Sequence, residues 1–171
     1  MKKEITQEFL KSILHYDPET GVFTRTVNRS NMKKGSIAGS VRSDGYVLIS
    51  IYKRAYYCHR LAFLYMFGYM PTCIDHINGN PMDNRLSNLR EASYGENRMN
   101  SPLNKKNTSG VKGVVWDKDR NKWRAQIQHE KVMYNLGRYQ SIDDARNAVE
   151  LHRRRLHGEF ANHGEFRNDI S

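Results

Sequence analysis

Cysteine is scarce in this sequence: only Cys58 and Cys73 occur among its 171 residues. Two thiols cannot form a four-cysteine zinc site, and they do not make the disulfide framework that small secreted domains use. We therefore expect both cysteines to be reduced, in a protein of the cytoplasm.

Long apolar stretches are also absent. No run of about 18 apolar residues is present, so the sequence predicts no transmembrane helix and no membrane partner. Lys2 and Lys3 are followed by Glu4 rather than by an apolar segment, which argues against a secretory signal. The hydrophobic fraction of 38% allows a core of modest size.

Positive charge is abundant and unevenly distributed. The chain has 28 Lys and Arg against 18 Asp and Glu, a formal net charge of +10. Residues 1–74 contribute 11 basic and 5 acidic side chains, residues 75–100 contribute 3 and 4, and residues 101–171 contribute 14 and 9. This pattern favours a polyanionic partner that is bound by two basic flanks around a near-neutral centre. On charge alone, the alternative is a soluble basic protein with no nucleic-acid role.

The near-neutral centre contains the most informative stretch, Ile74-Asp75-His76-Ile77-Asn78-Gly79-Asn80. An acid and a histidine stand side by side after a short apolar segment, and the order of residue types predicts strand, loop, strand and helix. A carboxylate and an amide oxygen can bind a hard cation such as Mg²⁺, while a neutral imidazole can accept a proton from water. We expect Asp75, His76 and Asn97 to converge on one point.

This stretch resembles the HNH nucleases, in the branch found in phage and intron-encoded homing endonucleases. The resemblance extends from about residue 43 to residue 100, and the motifs that carry it are His59-Arg60-Leu61, Asp75-His76, Asp83-Asn84-Arg85, Asn88-Leu89-Arg90 and Asn97 with Asn100. It implies that Asp75 and Asn97 bind the metal, Mg²⁺ or Mn²⁺, and that His76 is the general base. Asn88 would tie the loop to the helix. Asn97 stands where many members have histidine, which leaves one protein carboxylate on the metal.

Several side chains near this motif have two open interpretations. His59 precedes an apolar helix and either makes a structural hydrogen bond, our first interpretation, or contacts phosphate. Arg90 and Arg98 either contact phosphate or pair with Glu91 or Glu96. The basic loop over residues 28–36 either lies on DNA or is simply solvated.

The C-terminal third has a separate pattern after a polar linker at 101–109. Residues 111–116 predict one strand, and residues 122–129 alternate so that Lys122, Arg124, Gln126 and Gln128 share one face. A third strand runs over 131–136. Ser141 with Asp144 predicts a capping box that opens a helix ending at Gly158. The basic run 153–155 on that helix is expected at the surface, away from the sheet face, where it is either solvated or contacts phosphate.

This pattern resembles the apetala-two/ethylene-response-factor type of DNA-binding domain. The matching segments are Gly110-Val111-Lys112-Gly113-Val114, Lys122-Trp123-Arg124-Ala125-Gln126-Ile127, Leu136-Gly137-Arg138-Tyr139 and His157-Gly158-Glu159, with Asp144, Ala145 and Ala148. The resemblance implies a three-stranded sheet that enters the major groove of DNA. The DNA-facing residues would be Lys112, Lys122, Arg124, Gln126, Gln128 and Asn135.

Together these features predict an α+β chain. Residues 1–100 would form an α/β nuclease region with a ββα-metal core at about 72–100, and residues 110–164 would form a three-stranded antiparallel sheet packed on one helix. A tail would follow at 165–171. The expected function is site-specific binding of double-stranded DNA and hydrolysis of one phosphodiester bond, as a nickase and as a monomer or homodimer. The alternative is a DNA-binding regulator with an inactive HNH fold, whereas RNA binding without chemistry has little support.

Overall fold

The computed structural model describes residues 4–164, so the predicted tail at 165–171 lies outside the described residues. The fold is α+β, as expected. The chain divides into two compact units between Ser93 and Tyr94. This division differs from the predicted linker at 101–109, because the helix after Ser93 belongs to the second unit. The assignment of one unit to cleavage and the other to DNA binding stays a prediction.

The first unit begins with a helix that is capped by a threonine side chain. The Thr6 side chain accepts a hydrogen bond from the Phe9 backbone N–H, and α1 spans Gln7–Ile13. The chain then enters strand β1 (Leu14–Asp17), which pairs antiparallel with β2 (Val22–Arg25). The apolar spacing up to Leu14 predicts that this residue belongs to the helix, and Tyr16-Asp17-Pro18 predicts a turn. Leu14 and Tyr16 are instead strand residues that are buried in the core.

A second small sheet and the longest helix of this unit complete its core. Strands β3 (Ser40–Val41), β4 (Val47–Ile51) and β5 (Arg54–Tyr57) form an antiparallel meander. The turn of the β4–β5 hairpin is formed by Tyr52 and Lys53, one residue before Lys53-Arg54, where the sequence predicts it. Helix α2 (Cys58–Phe67) follows directly and ends at Gly68, whose φ of +82° suits a left-handed cap.

The last elements of the first unit are two short strands joined by a long loop. Strand β6 (Ile74–His76) pairs antiparallel with β7 (Leu89–Glu91), with Asp75 opposite Arg90 and His76 opposite Leu89. A 3-10 turn at Leu86–Asn88 leads into β7. Both cysteines are free thiols and are buried in this unit.

The second unit contains the predicted sheet and helix. It begins with α3 (Tyr94–Met99), and its strands β8 (Val114–Asp117), β9 (Lys122–His129) and β10 (Val132–Tyr139) form an antiparallel sheet in the order β10-β9-β8. Helix α4 (Ile142–His157) packs on it through Ala145 and Val149, which are fully buried. The Ser141 side chain caps this helix by accepting from the Asp143 N–H, one residue before the predicted partner.

Candidate nuclease site

The loop between β6 and β7 is held together by asparagine side chains. Asn88 is fully buried, and its Oδ1 accepts from the Asn78 backbone N–H at 2.9 Å while its Nδ2 donates to the Asp83 carbonyl at 2.7 Å. Asn78 Nδ2 donates in turn to Asp83 Oδ2 at 2.8 Å. Short amides can satisfy buried backbone groups without adding charge, so this network fixes the loop on which His76 depends.

A hairpin from the first part of the chain supports the same loop. The Tyr16 hydroxyl donates to the Asn84 carbonyl at 2.7 Å, and the Leu86 N–H donates to the Pro18 carbonyl at 2.9 Å. Gly21, at φ +73°, lies so close to the loop that an added Cβ would stand 2.3 Å from the Asn84 carbonyl carbon. Only glycine allows this approach, because any side chain would overlap backbone atoms.

His76 is buried at 6% exposure inside a group of rings. The ring centroids of His59 and Tyr46 lie 5.1 and 5.9 Å from its own, both edge-on, and its Nε2 is 3.5 Å from Asn84 Oδ1. Burial lowers the pKa of His76 below its ordinary value, although Asn84, Asp75 and Asp83 act in the opposite direction. The imidazole is therefore neutral near pH 7, which is the form that can accept a proton.

His59 belongs to this ring group rather than to the surface. It is 8% exposed, and it stacks on Tyr57 with a centroid distance of 5.4 Å. Burial lowers the pKa of His59 to about 3, with smaller effects from His76 and Arg60. A ring that is buried and neutral is poorly placed to contact phosphate. The geometry therefore favours a structural role for His59, which acts through ring packing.

Asp75 is paired with Arg90, a contact that we did not predict. Arg90 Nε donates to Asp75 Oδ2 at 2.8 Å, and Arg90 Nη2 lies 2.7 Å from the same oxygen. Strand pairing explains the contact, since the two residues are directly opposite on β6 and β7. The register of such short strands is set by the loop between them, so the sequence alone did not distinguish Asp75 from Glu91 or Glu96 as the partner.

The side chains around Asp75 can bind a divalent cation, but only weakly. The described residues contain no group of three or more His, Cys, Asp and Glu side chains that could hold a metal. A single buried carboxylate that is already paired with an arginine is a poor metal site by itself. Mg²⁺, however, commonly binds through one or two carboxylates together with substrate phosphates, so this set fits an ion completed by DNA.

Asn97, the second predicted metal ligand, lies on α3 at the start of the second unit. Asp75, His76 and Asn88 are brought together within the first unit. The convergence of Asn97 with them stays a prediction.

In the second unit, five of the six predicted DNA-binding residues share the expected sheet face. Strand pairing places Gln128 opposite Met133, Gln126 opposite Asn135, and both Arg138 and Val115 opposite Arg124. Lys122 and Arg124 belong to this same row by alternation along β9. The sheet face therefore presents Lys122, Arg124, Gln126, Gln128 and Asn135 together.

Lys112 is the exception, and the geometry does not support its predicted role. Its ammonium group donates to the carbonyls of Met99, Ser101 and Asn162, at 3.1 Å for Met99 and 3.2 Å for Asn162. Burial and the nearby Arg153 lower the pKa of Lys112 to about 8. This lysine lies before the sheet, in a loop whose path the sequence did not reveal, and we leave it out of the proposed DNA surface.

Arg153 is also internal, although we expected the basic run 153–155 at the surface. It is 2% exposed, and its Nη2 donates to the Lys112 carbonyl at 2.6 Å. Burial lowers the pKa of Arg153 to about 10. Arg153 lies on the same face of α4 as Val149 and Ala145, and that spacing is the sequence signal that could have indicated its burial.

Comparisons with known proteins identify the class to which this protein belongs. The model of the HNH endonuclease family matches residues 56–99, which include β6, the asparagine loop and β7. The chain therefore carries an HNH endonuclease domain. It also belongs to the family of Protein 3.8 of Escherichia phage T7: the two are 42% identical over 88 residues, which are 52% of this chain and 72% of the phage protein. No solved structure matches the chain.

No helix in the described part, residues 4–164, has the length and apolar character needed to cross a membrane. The apetala-two resemblance of the C-terminal part and the homing role are not addressed by these comparisons.

Proposed function

We propose that this protein is a metal-dependent DNA endonuclease of the phage HNH type, which binds a site in double-stranded DNA and nicks it. The observation that carries the proposal is the buried, neutral His76 beside Asp75 on β6, held by an asparagine loop within the segment that matches the HNH family. A neutral imidazole can accept the proton of the attacking water, and a carboxylate beside it can bind a metal ion; metal-dependent hydrolysis of a phosphodiester uses both roles.

Each residue of the site has a distinct task in this proposal. His76 takes the proton from the attacking water, because its ring is neutral and is fixed by Tyr46, His59 and Asn84. Asp75, together with Asn97, would hold Mg²⁺ or Mn²⁺, which supplies stabilisation of the charge that develops on the phosphate and the leaving oxygen. Arg90 holds the Asp75 carboxylate in place through its contacts with Oδ2.

Supercoiled plasmid with Mg²⁺ provides the test of cleavage. We expect open circles to form, and we expect EDTA or His76→Ala to abolish them. His15→Ala is the matched control, since His15 is an exposed histidine of the same unit. Equal activity of the His76 and His15 variants would remove His76 from the chemistry. Binding of the natural target without cleavage would instead favour a regulator with an inactive nuclease fold.

We propose that the sheet of the second unit positions the duplex in its major groove. The support is the row of donors on one face, namely Lys122, Arg124, Gln126, Gln128 and Asn135, with α4 packed behind the sheet. Arg138 lies on the same face but is paired with Asp117 at 2.7 Å, so it contributes less free charge.

The paired substitution Lys122→Ala with Arg124→Ala tests this surface. We expect weaker binding of duplex DNA. The slope of log affinity against log salt concentration should also become shallower, by the amount that corresponds to about two phosphate contacts. Arg154→Ala with Arg155→Ala removes the same charge from an exposed part of α4 and serves as the control. If the two double variants lose affinity equally, the sheet face has no special role.

A further inference from the structure

A cleft lies in the first unit, between the β1–β2 region, the basic loop after β2 and the β4–β5 hairpin. The cleft encloses about 380 Å³, and its floor is formed by core residues such as Leu14, Ala38, Ile49 and Ile51. Val27 and Met32 line it while remaining 42% and 39% exposed. Apolar side chains that stay exposed around a concavity indicate a ligand with an apolar face.

One wall of the cleft is a stack of aromatic and cationic groups. The Tyr52 ring lies nearly parallel to Phe9 with centroids 4.8 Å apart, and the Arg29 guanidinium carbon is 5.6 Å from the Tyr52 centroid. Arg25 and Lys53 also line the cleft, and none of its described lining residues is acidic. A planar, partly anionic molecule complements such a wall.

The wall is held in place by its backbone. Tyr52 and Lys53 both have positive φ, +52° and +62°, in a two-residue hairpin turn where glycine or asparagine is usual. The basic loop is closed by reciprocal backbone bonds between Arg29 and Met32 at 3.0 and 2.9 Å. Arg25 is anchored by donating to Ser36 Oγ at 3.2 Å and to the Ile37 carbonyl.

We propose that this cleft binds an unpaired nucleotide of a nucleic-acid strand. The base lies on the apolar floor against the Tyr52–Arg29 wall, and Arg29 and Lys53 contact the flanking phosphates. Base stacking on an aromatic ring with cationic side chains along the backbone is how single strands are held without sequence preference. This site shares no residue with the Asp75–His76 site and needs neither His76 nor a metal. It extends the proposed function, because an enzyme that holds an unpaired strand would favour nicked, frayed or locally opened DNA.

Binding is measured by fluorescence anisotropy of a labelled oligothymidine of about ten nucleotides, in EDTA so that no cleavage occurs. We expect Arg29→Ala with Lys53→Asn to weaken binding about tenfold, since asparagine tolerates the positive φ while removing the charge. Lys33→Ala with Lys34→Ala is the matched control, because it removes the same charge from exposed positions outside the cleft lining, in the loop that also contains Arg29. That control should change affinity less than twofold.

A second variant and a crosslink keep the test independent of charge. Tyr52→Gly suits the turn and removes the stacking ring, so affinity should fall about tenfold while the circular dichroism spectrum is unchanged. An oligonucleotide with 5-iodouracil should crosslink under ultraviolet light to the peptides that contain Tyr52 or Met32.

Equal losses in the cleft pair and the lysine control, or crosslinks confined to other peptides, would overturn the proposal. Binding of free thymidine monophosphate as tight as that of the oligonucleotide would overturn the assignment to a strand. Because this binding is measured in EDTA, without cleavage, failure of this proposal is distinguishable from failure of the proposed cleavage.

Discussion

Gly21 offers the sharpest test of how the first hairpin supports the nuclease loop. It has φ +73°, and a Cβ at this position would meet the Asn84 carbonyl carbon at 2.3 Å and the Arg85 nitrogen at 2.4 Å. Gly35 has a similar φ of +81°, yet an added Cβ there would meet nothing within 4 Å. Substitution of either glycine therefore has the same conformational cost. Only at Gly21 would the added Cβ also overlap backbone atoms.

The expected free energies of unfolding follow from this difference. Alanine in the left-handed region costs about 1 kcal/mol, which is the whole effect expected for Gly35→Ala. Gly21→Ala must also push apart two backbone segments, and forced overlap of this kind costs a further ~2 kcal/mol. We therefore expect Gly21→Ala to destabilise the protein by about 3 kcal/mol in total.

Urea unfolding followed by far-ultraviolet circular dichroism measures both variants. Plasmid cleavage should fall for Gly21→Ala even where the protein stays folded, because Asn84, the neighbour of His76 Nε2, belongs to the displaced loop. Cleavage by Gly35→Ala should be unchanged. Equal destabilisation by the two substitutions would refute the argument that close approach, rather than backbone conformation, requires glycine at position 21.

Two further predictions concern the charges around the site. The pKa of His59 is about 3 when folded and near 6.5 when unfolded, so the unfolded chain binds the extra proton and stability falls as pH falls through this window. Between pH 7 and pH 4.5 this amounts to about 2.5 kcal/mol, and urea unfolding of His59→Gln should lose that part of the pH dependence; an unchanged slope would show that His59 is not buried neutral. Arg90→Ala should cost about 3–5 kcal/mol, because it leaves the buried Asp75 carboxylate without its arginine. Asp75→Asn should recover part of that loss in a double-mutant cycle, and strict additivity of the two changes would mean that the pair is not coupled.

The range from pH 7 to pH 4.5 separates the effect of histidine protonation on stability from the effect of carboxylate protonation. Hydrogen bonds from Thr20 and Arg85 lower the pKa values of Asp17 and Asp83, so stability from these acids is lost only below their ordinary values, at lower pH. His76 has a pKa shifted in the same direction as that of His59, and it adds to the effect in the same range.

Local sequence determined the elements that depend on neighbours a few residues apart. Thr6 and Ser141 cap their helices because a hydroxyl reaches the backbone N–H groups of the next turn. Strand β9 alternates as predicted, because its polar and apolar residues differ at every step. The sequence also indicated the HNH segment through its resemblance to that family, and the family match over residues 56–99 confirmed it.

Tertiary structure decided what depends on contacts between distant segments. Leu14 and Tyr16 became a strand because β2 offers a partner, which outweighed the helical pattern of the preceding residues. Lys112 and Arg153 point inward because carbonyl groups far along the chain accept their hydrogen bonds, and these bonds offset part of the cost of burying each charge. The Arg90–Asp75 pair arises from strand register, and the neutral rings of His59 and His76 arise from burial. Charge and protonation at this site therefore follow from packing, which no short stretch of sequence contains.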